Sequence, residues 1–222
     1  MGTGATAEVK IALMLSPNDH VLFYGDSITD AGRNRDAAAG EPSGWGNGYV
    51  HQIAARLSCD LADYNLTFSN KGIGGNRIYD LESRLESDVL FLKPDWVSIL
   101  IGINDTWRRY DSGLLSETDL FAASYARILE KLEKASIQTI LLEPFLLPVP
   151  EDRHSWREDL NPKIDAIRNL ARDFGTPYLP LDGLFAAAST KREAAFWLPD
   201  GVHPSPMGHA LIAQEWIEAI IG

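Results

Sequence analysis

Cysteine is nearly absent from this 222-residue chain. Cys59 stands alone, which excludes an intramolecular disulfide and a cysteine-based zinc site. Long apolar runs are missing too. The stretch Ile11–Leu15 is too short for a secretory core or a membrane span, and the first ten residues carry no charged leader, so the chain reads as cytoplasmic. Positive charge is in deficit: 20 Lys and Arg against 31 Asp and Glu leave a formal net charge of −11. Such a surface repels phosphate backbones and anionic lipid, which argues against nucleic acid and membranes as partners. No Ser/Pro-rich linker divides the chain, and no internal repeat is seen.

What is there reads as globular. Apolar residues make up 45% and charged residues 23%, and the length suits a single domain spanning residues 1–222. Five short apolar runs predict buried strands: Val21–Tyr24, Tyr64–Ser69, Trp96–Ile101, Thr139–Leu142 and Pro177–Leu181. Helical patterns lie between and after them at Tyr49–Leu57, Arg77–Leu90, Thr118–Ala135, Asn161–Phe174 and Ser205–Ile221. The last opens with Ser205 as N-cap and Pro206 at the first helical position. This alternation predicts an α/β protein, a three-layer α/β/α sandwich around a five-stranded, mostly parallel sheet. In such sheets ligands bind at the carboxyl ends of the strands. The polar clusters fall there: Gly25-Asp26-Ser27, Asn70–Asn76, Gly102–Asp105 and Asp182-Gly183. Two irregular segments, Ala31–Gly48 and Pro144–Trp156, are either site borders or surface excursions.

Ser27 follows the first strand. It either caps a helix or presents its Oγ to a substrate with its own N–H turned toward an oxyanion. Asp200 precedes His203 by three residues on one loop, a spacing at which the carboxylate can accept from Nδ1–H and leave Nε2 as a general base. The bland alternative is a locally capping Asp beside an exposed His. The positive end of the following helix is expected to keep the ring neutral. Asn104 either closes the third strand in an Asx-turn or donates its amide to an oxyanion. The glycines of Asn70–Asn76 let backbone approach a ligand, but Arg77 stands where a dinucleotide fingerprint needs glycine. His209, His51, His20 and His154 carry less weight and read as packing or surface residues, with His154 placed to touch substrate only if its loop borders the site. Serine, glycine, asparagine and D-x-x-H, each after a strand-like run, converge on one rim of one sheet.

These blocks resemble the SGNH (GDSL-type) hydrolase superfamily, from G-D-S-I-T-D at 25–30 to D-G-V-H-P at 200–204. The resemblance implies its flavodoxin-like fold, a nucleophile at Ser27, a triad completed by Asp200 and His203, and an oxyanion hole from Ser27, Gly75 and Asn104, with no cofactor and no metal. N-K-G-I-G-G-N at 70–76, the segment 93–111 and V-H-P-S-P-M-G-H at 202–209 look like the intracellular acetylxylan esterase branch. Gly74 stands where that branch is expected to have serine, and Pro199 where tryptophan is expected. The implied substrate is a small acetylated sugar, the implied state a homo-oligomer. Asp26, Trp45, Trp107 and Trp197 are candidate substrate contacts, the indoles as stacking surfaces for sugar rings.

Rival readings remain at this level. A lipid esterase or thioesterase would need an apolar groove, for which Phe145, Leu146 and Leu147 are available. A metal phosphoesterase would need more His and Asp ligands than the strand ends offer. A catalytically dead sugar-binding module would have no use for the intact five-residue set.

Overall fold

The computed structural model describes residues 14–221; of the run Ile11–Leu15, only Met14 and Leu15 fall inside it. β1 (His20–Gly25) leads directly into α1 (Ser27–Asp30), followed by α2 (Tyr49–Asp60), β2 (Thr67–Asn70) and α3 (Ile78–Leu85). Next come β3 (Trp96–Leu100), α4 (Ile103–Ser112), α5 (Thr118–Lys134), β4 (Gln138–Leu142), α6 (Arg157–Phe174) and β5 (Tyr178–Leu179). The chain closes with α7 (Leu181–Ser189), α8 (Ala194–Trp197) and α9 (Pro206–Ile221). The strands form one sheet in the order β2-β1-β3-β4-β5, with every pairing parallel. The order reverses between β1 and β3, so the connections leaving their carboxyl ends diverge and open a crevice.

Alternation along the strands makes the two cores. Val21 and Phe23 of β1, Leu100 of β3 and Ile140 and Leu142 of β4 pack with α2 and α9 on one face. Leu22 and Tyr24, Val97 and Ile99, and Leu141 pack with α3 and α5 on the other. Both faces are covered, which is why the strands read as continuous apolar runs. The polar Ser98 is accommodated because its Oγ lies 3.0 Å from Trp216 Nε1, which donates to it. Among the described residues no helix is long and apolar enough to cross a membrane.

Several expectations shift. β5 covers only Tyr178–Leu179 rather than Pro177–Leu181, because Leu181 already opens α7 and places Asp182-Gly183 inside it, and α6 starts at Arg157 rather than Asn161. β2 starts at Thr67 rather than Tyr64, because Ala62–Tyr64 coil into a 3-10 turn and Asn65 takes a left-handed φ of 52°. The 77–90 helix ends regularly at Leu85 and widens into a π-turn over Glu86–Leu90. Gly102–Asp105 is the entrance to a helix, since α4 carries Ile103, Trp107 and Tyr110 along one stripe beneath a polar exterior.

Candidate active site

The turn leaving β1 is built for close approach. A Cβ on Gly25 would lie 2.4 Å from both the Leu100 carbonyl and Thr29 Oγ1, so only glycine fits. Asp26 Oδ1 accepts the Ile28 N–H at 3.0 Å and caps α1, leaving Ser27 on its first position. Ser27 Oγ stands 3.0 Å from His203 Nε2, and His203 Nδ1 stands 2.8 Å from Asp200 Oδ2. Asp200 Oδ1 accepts the N–H groups of Val202 at 3.0 Å and His203 at 2.7 Å. One carboxylate thus both caps the turn and faces the imidazole. Ser205 caps α9 as expected, with Oγ accepting the Gly208 N–H at 3.2 Å.

Across from this line lies the 70–76 loop. A Cβ on Gly74 would sit 3.7 Å from that of Ser27, and Gly75 adopts a left-handed φ of 82°. The N–H groups of Ser27 and Gly75 find no backbone acceptor among the described residues. Asn104 occupies the first turn of α4, not an Asx-turn, and its Nδ2 donates to the Asn76 carbonyl at 3.0 Å. One hydrogen of that amide is used and the other is left over.

Two residues tie these loops together: Asn70, the first residue of the predicted 70–76 cluster, and Arg84, which carried no signal in the sequence. Asn70 Nδ2 donates to the carbonyls of Thr29 at 2.6 Å and Trp45 at 2.9 Å, while Oδ1 accepts from Gly72 N–H at 2.8 Å. Arg84, stacked 4.4 Å from the Tyr24 ring centre, donates to the carbonyls of Gly25 at 3.0 Å and Lys71 at 2.8 Å and to Asn76 Oδ1 at 2.8 Å.

The charges around the site are strongly tuned. Burial pushes the Asp200 carboxyl up, yet hydrogen bonds from the His203 ring and from two backbone N–H groups hold it well below the usual carboxylate range. The bond to Asp200 raises His203 above 6.5 against the opposing effect of burial. The expected lowering by the helix N-terminus is outweighed: a carboxylate in contact acts more strongly than a partial charge more than one residue further along, so the shift is upward. Burial raises both Asp26 and Asp105 to about 7. Among the described residues no group of three or more His, Cys, Asp or Glu gathers where it could hold a metal ion.

The expected substrate contacts sort unevenly. Asp26 is fully buried in its cap and sealed from substrate. Trp45 is 8% exposed and donates its indole N–H to the Phe68 carbonyl at 3.2 Å, so it packs the core and offers no face to a sugar. Trp197 anchors the turn into α9, its carbonyl accepting the Ser205 N–H at 2.9 Å. Trp107 alone of the three indoles packs on His203, with ring centres 5.9 Å apart. Phe145, Leu146 and Leu147 are buried, Phe145 at 4.4 Å from Phe185, and line no open groove. His209 Nδ1 accepts the Tyr49 N–H at 3.1 Å, and His20 Nε2 meets Ser69 Oγ at 2.8 Å; both are packing residues.

A family model described as GDSL-like lipase/acylhydrolase matches residues 23–211. An acetylxylan esterase from Geobacillus stearothermophilus is 32% identical over 212 residues, covering 94% of this chain and 96% of that protein. The crystal structure of an acetylxylan esterase from the same organism superposes with a TM-score of 0.86 at 30% identity, over 94% of this chain and 96% of that one. An alpha/beta hydrolase enzyme from the metagenome of Lake Arreo, Spain, superposes with a TM-score of 0.87 at 28% identity, over 94% and 98%.

Proposed function

Because the chain belongs to the GDSL-like lipase/acylhydrolase family, it is a carboxylic ester hydrolase, and we propose that it removes acetyl groups from acetylated sugars such as xylo-oligosaccharides, as a single hydrolase domain. The observation that carries the chemistry is the unbroken line from Ser27 Oγ through His203 to Asp200, at 3.0 and 2.8 Å. Two solved variants of the Geobacillus stearothermophilus esterase, each described as a catalytic mutant, replace one serine and one histidine, which supports the same roles here.

In this reading Asp200 fixes the imidazole with Nδ1–H toward itself. His203 Nε2 takes the Ser27 proton as Oγ attacks the acetyl carbonyl. The N–H groups of Ser27 and Gly75 and the free hydrogen of the Asn104 amide receive the oxyanion, each worth about 3–4 kcal/mol in the transition state. His203 then protonates the departing sugar oxygen. A water, deprotonated by the same imidazole, releases acetate from Ser27. No cofactor enters any step.

The burial of Phe145, Leu146 and Leu147 favours a short acyl group over a lipid chain. Each methylene forced into a closed pocket costs about 1–3 kcal/mol, more than the ~0.8 kcal/mol its burial returns. A series of p-nitrophenyl esters from acetyl to octanoyl, with Ser27→Ala as blank, tests this. The kcat/KM is expected to fall about tenfold or more from acetyl to butyryl. A maximum at butyryl or longer would sink the acetyl reading and leave the family assignment standing.

A further inference from the structure

Beside the Ser27–His203–Asp200 line stands a cation whose donor is unused. Arg153 lies in the 3-10 segment Glu151–Trp156. Its guanidinium carbon is 4.4 Å from the centre of the Trp107 ring and 4.7 Å from that of Trp156. Its Nη1 is buried and has no hydrogen-bond partner among the described residues. The other arginines of this wall are engaged: Arg109 holds Glu158 and Asp159, Arg157 holds Asp182, and Arg108 holds Asp111. Buried donors are almost always paired in a native fold. Here two indole faces retain the cation by attraction to their π-clouds and leave Nη1 without an acceptor of its own.

Its position tells which part of an ester it would meet. Trp107, on which Arg153 rests, packs against the His203 ring. His203 Nε2 is the atom that returns a proton to the leaving oxygen, so the alcohol half passes this wall. The carbonyl oxygen is turned away, toward Gly75 and Asn104.

We propose that Arg153 is a specificity-determining residue whose guanidinium donates to an oxygen acceptor on the alcohol half of the ester. The enzyme thereby selects acetates of oxygen-rich alcohols over acetates whose alcohol bears no such acceptor. The identity of that alcohol rests on the acetyl-sugar reading; the role of Arg153 does not. A sugar hydroxyl or ring oxygen and a uronate carboxylate present the same acceptor chemistry, and a planar guanidinium serves either.

The test compares kcat/KM for wild type, Arg153→Met and Arg153→Lys on p-nitrophenyl acetate, an acetylated methyl xyloside and an acetylated methyl glucuronoside. Arg153→Met is expected to lower the ratio of sugar acetate to aryl acetate by about tenfold or more, mainly through KM. Arg153→Lys, which keeps the charge but not the planar fork, is expected to recover part of it. A much larger fall on the glucuronoside identifies a carboxylate, and equal falls identify a neutral oxygen. Equal losses on all three esters, or an unchanged ratio, overturn the proposal, since Arg153 would then only prop Trp107. Failure of the wild type to release acetate from either sugar overturns the acetyl-sugar reading instead. Glycerol acetate against ethyl acetate, which differ in the same acceptor, then decides Arg153 by the same ratio.

Discussion

His203 and His209 bracket the first turn of α9 and titrate in opposite directions. The bond to Asp200 raises the first above 6.5. Burial first, and then the charge of His203, lower the second to about 4. Partners decide the difference: His203 faces a carboxylate and Ser27, whereas His209 stacks on Tyr49, with ring centres 6.3 Å apart, and accepts its backbone N–H.

Replacement of the two histidines should therefore separate chemistry from packing. Ser27→Ala and His203→Ala are each expected to lower kcat by at least about three orders of magnitude with the fold retained, because triad members act as a unit. His209→Ala should lose far less activity and instead lower Tm, since it strips the start of α2 of an acceptor. Equal activity losses for the two histidines, measured with matched circular dichroism, would refute the assignment.

The base must be neutral to work, so the raised His203 moves the acid limb of kcat/KM to a midpoint above 6.5. Asp200→Asn should move that limb down as well as slow turnover. Stability runs the other way. A raised His203 stabilises fully below its unfolded value and loses this as pH rises through its folded one. A lowered Asp200 stabilises above its unfolded value and loses this as pH falls through its folded one. The Tm gap between wild type and His203→Ala should thus be widest between 3.8 and 6.5. A gap that grows above neutral pH contradicts the pairing.

Arg84 joins the Ser27 turn to the loop carrying Gly75. Arg84→Met leaves the carbonyls of Gly25 and Lys71 without this donor, at a cost of about 1–3 kcal/mol. It also loosens both loops, for which kcat should fall by roughly tenfold to a hundredfold. An unchanged Tm with kcat within about twofold would remove Arg84 from this role.

Gly74 and Gly75 should respond differently despite being neighbours. Gly75→Ala forces a side chain into a left-handed φ of 82°, costing about 1–2 kcal/mol and turning the N–H away from the oxyanion. Gly74→Ser meets only ordinary contact at Ser27, and it should fold with unchanged Tm and keep most activity. Crystal structures of both variants with kinetics on p-nitrophenyl acetate check the contrast; comparable losses would refute it.

The strands and the long helices were legible because burial on both sheet faces leaves apolar runs that stop at polar turns. Ser27 was legible as a residue type at a strand end; Asp200 and His203 were legible only by their D-x-x-H spacing, since they lie not after a strand but on the loop between α8 and α9. α4 was hidden because its polar residues outnumber Ile103, Trp107 and Tyr110, which read as loop. Trp45 and Asp26 were misassigned for a related reason: an indole bonded to the Phe68 carbonyl and a carboxyl sealed in its own cap look no different in sequence from exposed ones. Asn70, Arg84 and Arg153 have local partners in Gly72, Asp88 and Trp156, but their bonds to Thr29, Trp45 and Gly25 and the stacking on Trp107 cross the fold, beyond any local window.

The proposed nucleophile Ser27 and its proposed base His203 are separated by 176 positions along the chain, and His203 precedes α9. Activity is therefore a late readout of folding. A nascent or refolding chain can complete β1 through β4 and remain inert, and it acquires esterase activity only when α9 docks beside α2 and carries His203 to Ser27. In refolding, ester turnover should lag helical circular dichroism. On a ribosome, Ser27 should stay without its imidazole until the segment carrying His203 and α9 has emerged.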